Sequence, residues 1–136
     1  MAKTSTQCAP AARPLRIGLV EDDAQVREAA ALALKTLGHE VIAAESGPDL
    51  LTRLGEHAPD IIISDYHLCA GETGFEVVQA IRAAFGNSMP ALITTGDTDP
   101  VLMRSMAEHD ISIHYKPLRI DSLQRAISQV TERRSP

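Results

Sequence analysis

The chain has 136 residues, 44% of them hydrophobic and 23% charged, with a formal net charge of −5. That suits one globular domain with a core of its own. It offers no clustered basic face for a nucleic acid and no apolar run of membrane-spanning length. Its two unpatterned cysteines, Cys8 and Cys69, support neither a disulfide framework nor a metal site and fit a reducing cytosol. Aromatics make up 3% and Trp is absent, so the core has to come from Ile, Leu, Val, Ala and Met.

Residues 1–14 are small, polar and Pro-containing, which predicts a flexible tail without the apolar core of a secretory signal. From Leu15 the pattern is regular. Leu15–Val20 is a short apolar strand that stops at Glu21, Asp22 and Asp23. A helix follows, with Val26, Ala30, Ala33, Leu34 and Leu37 on its inner face and Gly38 where a helix end belongs. Val41–Ala44 is a second strand, and Ser46-Gly47-Pro48 opens a helix that turns Leu50, Leu51 and Leu54 inward. Asp60–Ser64, the most apolar strand, ends at Asp65. A loop over Tyr66–Thr73 leads to a helix from about Gly74 to Phe85, burying Phe75, Val78 and Ile81. Pro90–Thr94 is the fourth strand, ending at Thr95-Gly96, and a fourth helix covers about Asp99–Glu108. Ile111–Tyr115 is the fifth strand, ending at Lys116-Pro117. The last helix spaces Ile120, Leu123, Ile127 and Val130 on one face.

Strands and amphipathic helices alternating five times predict an α/β domain, a parallel sheet with helices on both faces and the third strand central. The carboxyl ends of the strands then share one edge, where a ligand belongs. That edge gathers Glu21, Asp22, Asp23, Asp65, Thr95, Gly96 and Lys116. Like charges packed together raise the energy of the fold. A hard divalent cation such as Mg²⁺, held by one or two carboxylates, offsets the repulsion. A carboxylate is also a competent phosphoryl acceptor, with the metal and a Lys neutralising charge on the phosphoryl oxygens. Each residue has an ordinary reading as well: Asp23 as a helix N-terminal acid, Asp65 as a loop acid or cap, Thr95 as a turn residue, Lys116 as a surface charge. Their joint placement at four strand ends argues for phosphoryl transfer.

Val20-Glu21-Asp22-Asp23, Ile62-Ile63-Ser64-Asp65, Ile93-Thr94-Thr95-Gly96 and Lys116-Pro117, in this order and spacing, resemble the receiver domain of two-component response regulators. The resemblance runs from Leu15 to Val130 and implies a domain over 15–131. The implied fold is flavodoxin-like, a doubly wound (βα)5 with a five-stranded parallel sheet in the order 2-1-3-4-5. It further implies that Asp65 is the phosphoacceptor and that Asp22 ligates Mg²⁺ directly (Mn²⁺ being able to substitute). Asp65 and the backbone carbonyl of His67 would be further ligands, with Glu21 acting through water. Anchored on Gly38, the alignment leaves Asp23 outside the acidic pair. Thr95 and Lys116 would contact the phosphoryl group, His67 and Asp97 would tune its loss, and the Lys116–Pro117 bond would be cis.

The chain departs from the family pattern at three places. Cys69 stands where Pro is usual, the loop from Cys69 to Thr73 is one residue longer, and Ile113 occupies the place of the switch aromatic, with Tyr115 beside Lys116 instead. These departures, with Asp65-Tyr66-His67-Leu68 and His114-Tyr115-Lys116-Pro117-Leu118, look like the C-terminal receivers of hybrid sensor histidine kinases. The implied protein is a stand-alone cytoplasmic module, a monomer or a phosphorylation-dependent dimer. It would not be an enzyme beyond its own phosphorylation and dephosphorylation. A sensor histidine kinase or phosphotransfer protein would be its donor. A downstream protein partner would bind on the fourth helix, fifth strand and fifth helix, where Met103, Met106, Arg119 and Arg125 are candidates, the two Met being equally compatible with the core, with no DNA and no membrane among its partners.

Alternatives stay open at this point. One is a degenerate receiver that docks without phosphorylation; another is a detached receiver passing phosphate to a downstream His. An aspartyl-phosphate phosphatase would want Asp where His67 stands. A flavin module would want a Ser/Thr/Gly-rich loop where Glu21-Asp22-Asp23 would repel the flavin phosphate.

Overall fold

The computed structural model describes residues 14–96, 99–117 and 119–134. In chain order these form β1 (Arg16–Val20), α1 (Ala24–Thr36), β2 (Glu40–Ala44), α2 (Gly47–Leu54), β3 (Ile61–Asp65), α3 (Gly74–Phe85), β4 (Ala91–Thr95), α4 (Pro100–Glu108), β5 (Ser112–Tyr115) and α5 (Ile120–Arg134). The strands make one parallel sheet in the order β2-β1-β3-β4-β5. Every residue of β3 is buried, as its apolar run and central place require.

The alternation of side chains along each strand builds two cores. On one face Val20, Ile62 and Ile93 pack with Leu50 and Leu54 of α2 and Val77, Val78 and Ile81 of α3. On the other, Ile17, Leu19, Ile63 and Leu92 pack with Leu34 of α1 and Leu123 and Ile127 of α5. Each such aliphatic side chain, removed from water, contributes about 1.5–3 kcal/mol.

Element ends differ from the sequence reading by a residue, each for a local reason. Leu15 is buried, but its N–H donates to His39 Nδ1 at 3.0 Å, so β1 starts at Arg16. Asp60 precedes β3, and its Oδ2 accepts the Arg16 N–H at 2.8 Å. The Ile111 N–H closes α4 on Met106 O at 2.9 Å, so β5 starts at Ser112. Gly38 follows the C-cap Leu37 with φ of 100°, a left-handed value that favours glycine.

Two helix faces are corrected. In α1 Ala31 and Leu34 are buried, whereas Val26 is 41% exposed. The first turn of α1 stands beside the start of α5, and Val26, Ala29, Pro117 and Ile120 line an open groove of about 460 Å³ there. In α3 Val77 joins Val78 and Ile81 in the core, and Phe75 is partly buried, edge-on to His109 at 4.7 Å. Of the two readings open for Met106, partner contact or core, the structure gives the core: it is 2% exposed.

Candidate functional site

The strand ends deliver their side chains to one edge by register. β1 leads into Glu21, whose backbone N–H continues the sheet by donating to Ala44 O at 3.1 Å. Asp23 leaves that edge: it is the N-cap of α1, and its Oδ1 accepts the Val26 N–H at 3.1 Å. This is the ordinary role of an acid at a helix start. Glu21 and Asp22 stay. One carboxylate oxygen from each, with one from Asp65, lies within 4.8 Å of the others.

Glu21 is 6% exposed. Its Oε2 accepts the Asp23 N–H at 3.2 Å, and its carbonyl accepts from Arg27 Nη1 at 2.8 Å. Burial pushes the Glu21 carboxyl above its ordinary value of 4.5. The Asp23 N–H opposes that shift and the neighbouring Asp65 charge adds to it. Asp22 moves the other way, below its ordinary 3.8, chiefly because the Cys69 thiol donates a hydrogen bond to it. The same contact raises the thiol.

Asp65 closes β3, and its side chain is 11% exposed. Lys116, one residue past β5, sets Nζ 3.1 Å from Asp65 Oδ2. Its backbone N–H donates to Thr95 O at 2.9 Å, which ties the ends of β4 and β5 together, and the Lys116–Pro117 bond is cis. Thr95 is the last residue of β4, 1% exposed, and pairs in register with Tyr115. Ile113, two residues earlier on the same face, packs into the core. Asp97 and Leu118 lie outside the described residues.

The loop after Asp65 is closed by its own backbone. His67 bridges to Thr73, Cys69–Gly71 form a 3₁₀ turn, and the Leu68 N–H donates to Glu72 O at 3.1 Å. His67 is exposed, with its ring edge-on to Tyr66 at 4.8 Å. Thr73 caps α3 in a capping box with Glu76. Gly74 follows because nothing larger fits: a Cβ there would lie 2.6 Å from Asp65 O and 2.7 Å from Ile93 Cδ1. The return of the loop to the sheet, with Gly74 N–H donating to Tyr66 O at 2.7 Å, depends on that close approach.

The donor set of Glu21, Asp22 and Asp65 is all carboxylate oxygen, which fits a hard divalent cation of the Mg²⁺ class. Two buried acids face a single lysine at close range, so a cation there would offset both the burial that raises Glu21 and the Asp65 charge that adds to it. Sequence reasoning brought Glu21, Asp22, Asp65, Thr95 and Lys116 to one edge, and the structure groups them there. It did not find Arg27 on the Glu21 carbonyl, the Cys69–Asp22 bond, or the Glu72 carboxylate on the Gly47 N–H at 3.2 Å. The basic residue one turn into α1 signals the first. The other two depend on the path of a loop, and only the position of Cys69 four residues after Asp65 hints at one of them.

Comparison with known proteins agrees with this geometry. The chain is 36% identical over 123 residues to the transcriptional regulatory protein AfsQ1 of Streptomyces coelicolor, covering 86% of this chain and 52% of AfsQ1. It is 33% identical over 130 residues to the sensor histidine kinase AruS of Pseudomonas aeruginosa, covering 93% of this chain and 13% of AruS. The chain thus spans about half of the first of these relatives and a small part of the second. Among solved structures, the chemotaxis protein CheY4 of Vibrio cholerae superposes with a TM-score of 0.78 at 26% identity, over 87% of this chain and 99% of CheY4. The sheet order and doubly wound topology are those of this flavodoxin-like fold. The family model described as the response regulator receiver domain matches residues 17–128, and the chain belongs to that family.

Proposed function

We propose that this receiver domain accepts a phosphoryl group on Asp65, taken from a histidine kinase or a phosphotransfer protein, and that the modification changes how it binds a partner. The observation that carries the reading is the convergence of Glu21, Asp22 and Asp65 within 4.8 Å, with Lys116 Nζ 3.1 Å from the Asp65 carboxylate. Asp22, Asp65 and the backbone carbonyl of His67 would hold Mg²⁺, and Glu21 would act through water. Bound there, Mg²⁺ supplies charge neutralisation on the phosphoryl oxygens.

The protein's own residues do the rest. An Asp65 carboxylate oxygen attacks phosphorus while the P–N bond of a phosphohistidine breaks, and the imidazole leaves with the electron pair. Lys116, already paired with Asp65, stays beside the new phosphate and balances its charge. Thr95 sits at the next strand end, and its hydroxyl would donate to a phosphoryl oxygen. His67 and Asp97 would tune the later loss of the phosphate, in which water attacks phosphorus, regenerates the carboxylate and releases inorganic phosphate. We assign no further catalytic activity.

The donor class rests on the likeness to AruS, whose name is that of a sensor histidine kinase. For the downstream partner we propose the face of α4, β5 and α5. Met103, Ala107, Ile113, Tyr115 and Val130 line a groove of about 450 Å³ there, with Arg119 and Arg125 exposed on the same end of α5 and its approach. No helix among the described residues is long and apolar enough to cross a membrane. We propose a cytoplasmic module over 15–131, monomeric or dimerising on phosphorylation, that does not bind DNA. The main alternative, a docking domain that works without phosphorylation, leaves the burial of Glu21 beside Asp65 unexplained.

The test is intact mass after incubation with acetyl phosphate, with and without Mg²⁺, alongside Asp65→Asn. One added phosphoryl group that requires both Mg²⁺ and Asp65 is expected. No adduct under any condition, even with rapid acid quenching, sinks the reading.

A further inference from the structure

The loop between β3 and α3 spans Tyr66 to Thr73 and docks on a neighbouring helix. Glu72 is its junction. Its carbonyl accepts the Leu68 N–H at 3.1 Å, and its own N–H donates to Cys69 O at 3.4 Å. Its side chain reaches away from the loop, where Oε1 accepts the Gly47 N–H at 3.2 Å. Ser46 caps the same helix through the Asp49 N–H at 3.1 Å, so the carboxylate takes a donor that the cap leaves. Gly47 is buried, and a Cβ there would lie 2.8 Å from Glu72 Oε2, so the glycine makes the space the carboxylate occupies. α2 itself is fixed by Leu50 and Leu54, both in the core. On its other side the loop brings the Cys69 thiol beside Asp22, where each shifts the other's pKa.

We infer that Glu72 is a positioning residue. By docking the loop on α2 it holds Cys69 beside Asp22, and with it the loop that carries the His67 carbonyl proposed above as a cation ligand. The inference rests on the proposed role of that cluster and deepens it. A negative group at the start of a helix is favourable, so the contact also has a purely structural value. The two roles separate by what the loop does to the cluster.

The experiment uses the full chain with Cys8→Ala, so that Cys69 is the only thiol. Three variants are compared with this parent: Glu72→Ala, Glu72→Gln, and Gly47→Ala, whose methyl displaces the carboxylate. Alkylation of Cys69 by a small neutral reagent reports loop position, and calorimetric titration with Mg²⁺ reports the cluster. Glu72→Ala and Gly47→Ala are expected to speed alkylation and to weaken Mg²⁺ binding by about tenfold. Glu72→Gln, which keeps an acceptor for Gly47, stays near the parent in both. If Glu72→Ala lowers only the unfolding midpoint and leaves both readouts at the parent value, the inference is wrong. Faster alkylation with unchanged Mg²⁺ affinity also overturns it. A parent that binds no Mg²⁺ instead removes the reading of the acidic cluster, and alkylation alone then decides whether Glu72 sets the loop.

Discussion

The two edges of the sheet handle charge in opposite ways. At the amino edge charged and polar side chains meet partners of complementary character. Arg16 pairs with Glu40 at 2.9 Å while its N–H meets Asp60. The buried His39 accepts from Leu15 and bonds Gln124 Oε1 at 3.1 Å. Arg82 spreads its guanidinium over Met89 O, His109 O and Asp110 O, clamping the entries to β4 and β5. At the carboxyl edge three acids converge on one lysine, and burial holds Glu21 in an environment hostile to its charge. The first edge is arranged for stability. The second carries a local cost, and such costs concentrate where a protein binds or reacts.

Removing polar groups should therefore have opposite signs at the two edges. The largest effect is expected for Arg82→Ala, which leaves three carbonyls without their donor. It should lower the free energy of unfolding in urea by about 3 kcal/mol and leave Mg²⁺ affinity unchanged. Glu21→Gln keeps the volume and an acceptor for the Asp23 N–H but removes the buried charge. In a chelator it should stabilise the protein by about 1 kcal/mol while weakening Mg²⁺ binding. A loss of stability would break the comparison.

The smallest effect is a pH dependence at His114. Burial lowers its pKa from 6.5, so the unfolded chain takes up the proton at a higher pH than the folded one. This contribution to stability is whole above 6.5 and is lost as pH falls from there through the folded value. His114→Gln should flatten that part of a plot of unfolding midpoint against pH, and an unchanged slope would show that burial at β5 is not what is felt.

Much of this was legible in the sequence because topology does the work. Once five apolar strands alternate with helices, the residue after each strand has to lie on one edge, so Asp65, Thr95 and Lys116 follow from their places in the pattern. The core of β3 follows from Ile61, Ile62 and Ile63 in the same way. What was missed depends on phase and loop path. Val26 fits the apolar stripe of α1, yet the first turn lies beside a groove rather than over the sheet. Met106 stayed open between surface and core because periodicity in a short helix does not say which side meets the sheet. Cys69 and Glu72 find Asp22 and Gly47 through a 3₁₀ turn that has no periodic signature.

The register of β5 has an optical consequence. The chain has no Trp and two Tyr. Tyr66 directly follows Asp65, edge-on to His67, and Tyr115 directly precedes Lys116 while pairing with Thr95. With excitation beyond the absorption of its two phenylalanines, the protein's intrinsic emission therefore originates from the two residues that flank the Asp65–Lys116 pair. If the proposed cation or phosphoryl group arrives there, the quenching of both fluorophores should change, and Tyr66→Phe and Tyr115→Phe would divide the signal between β3 and β5.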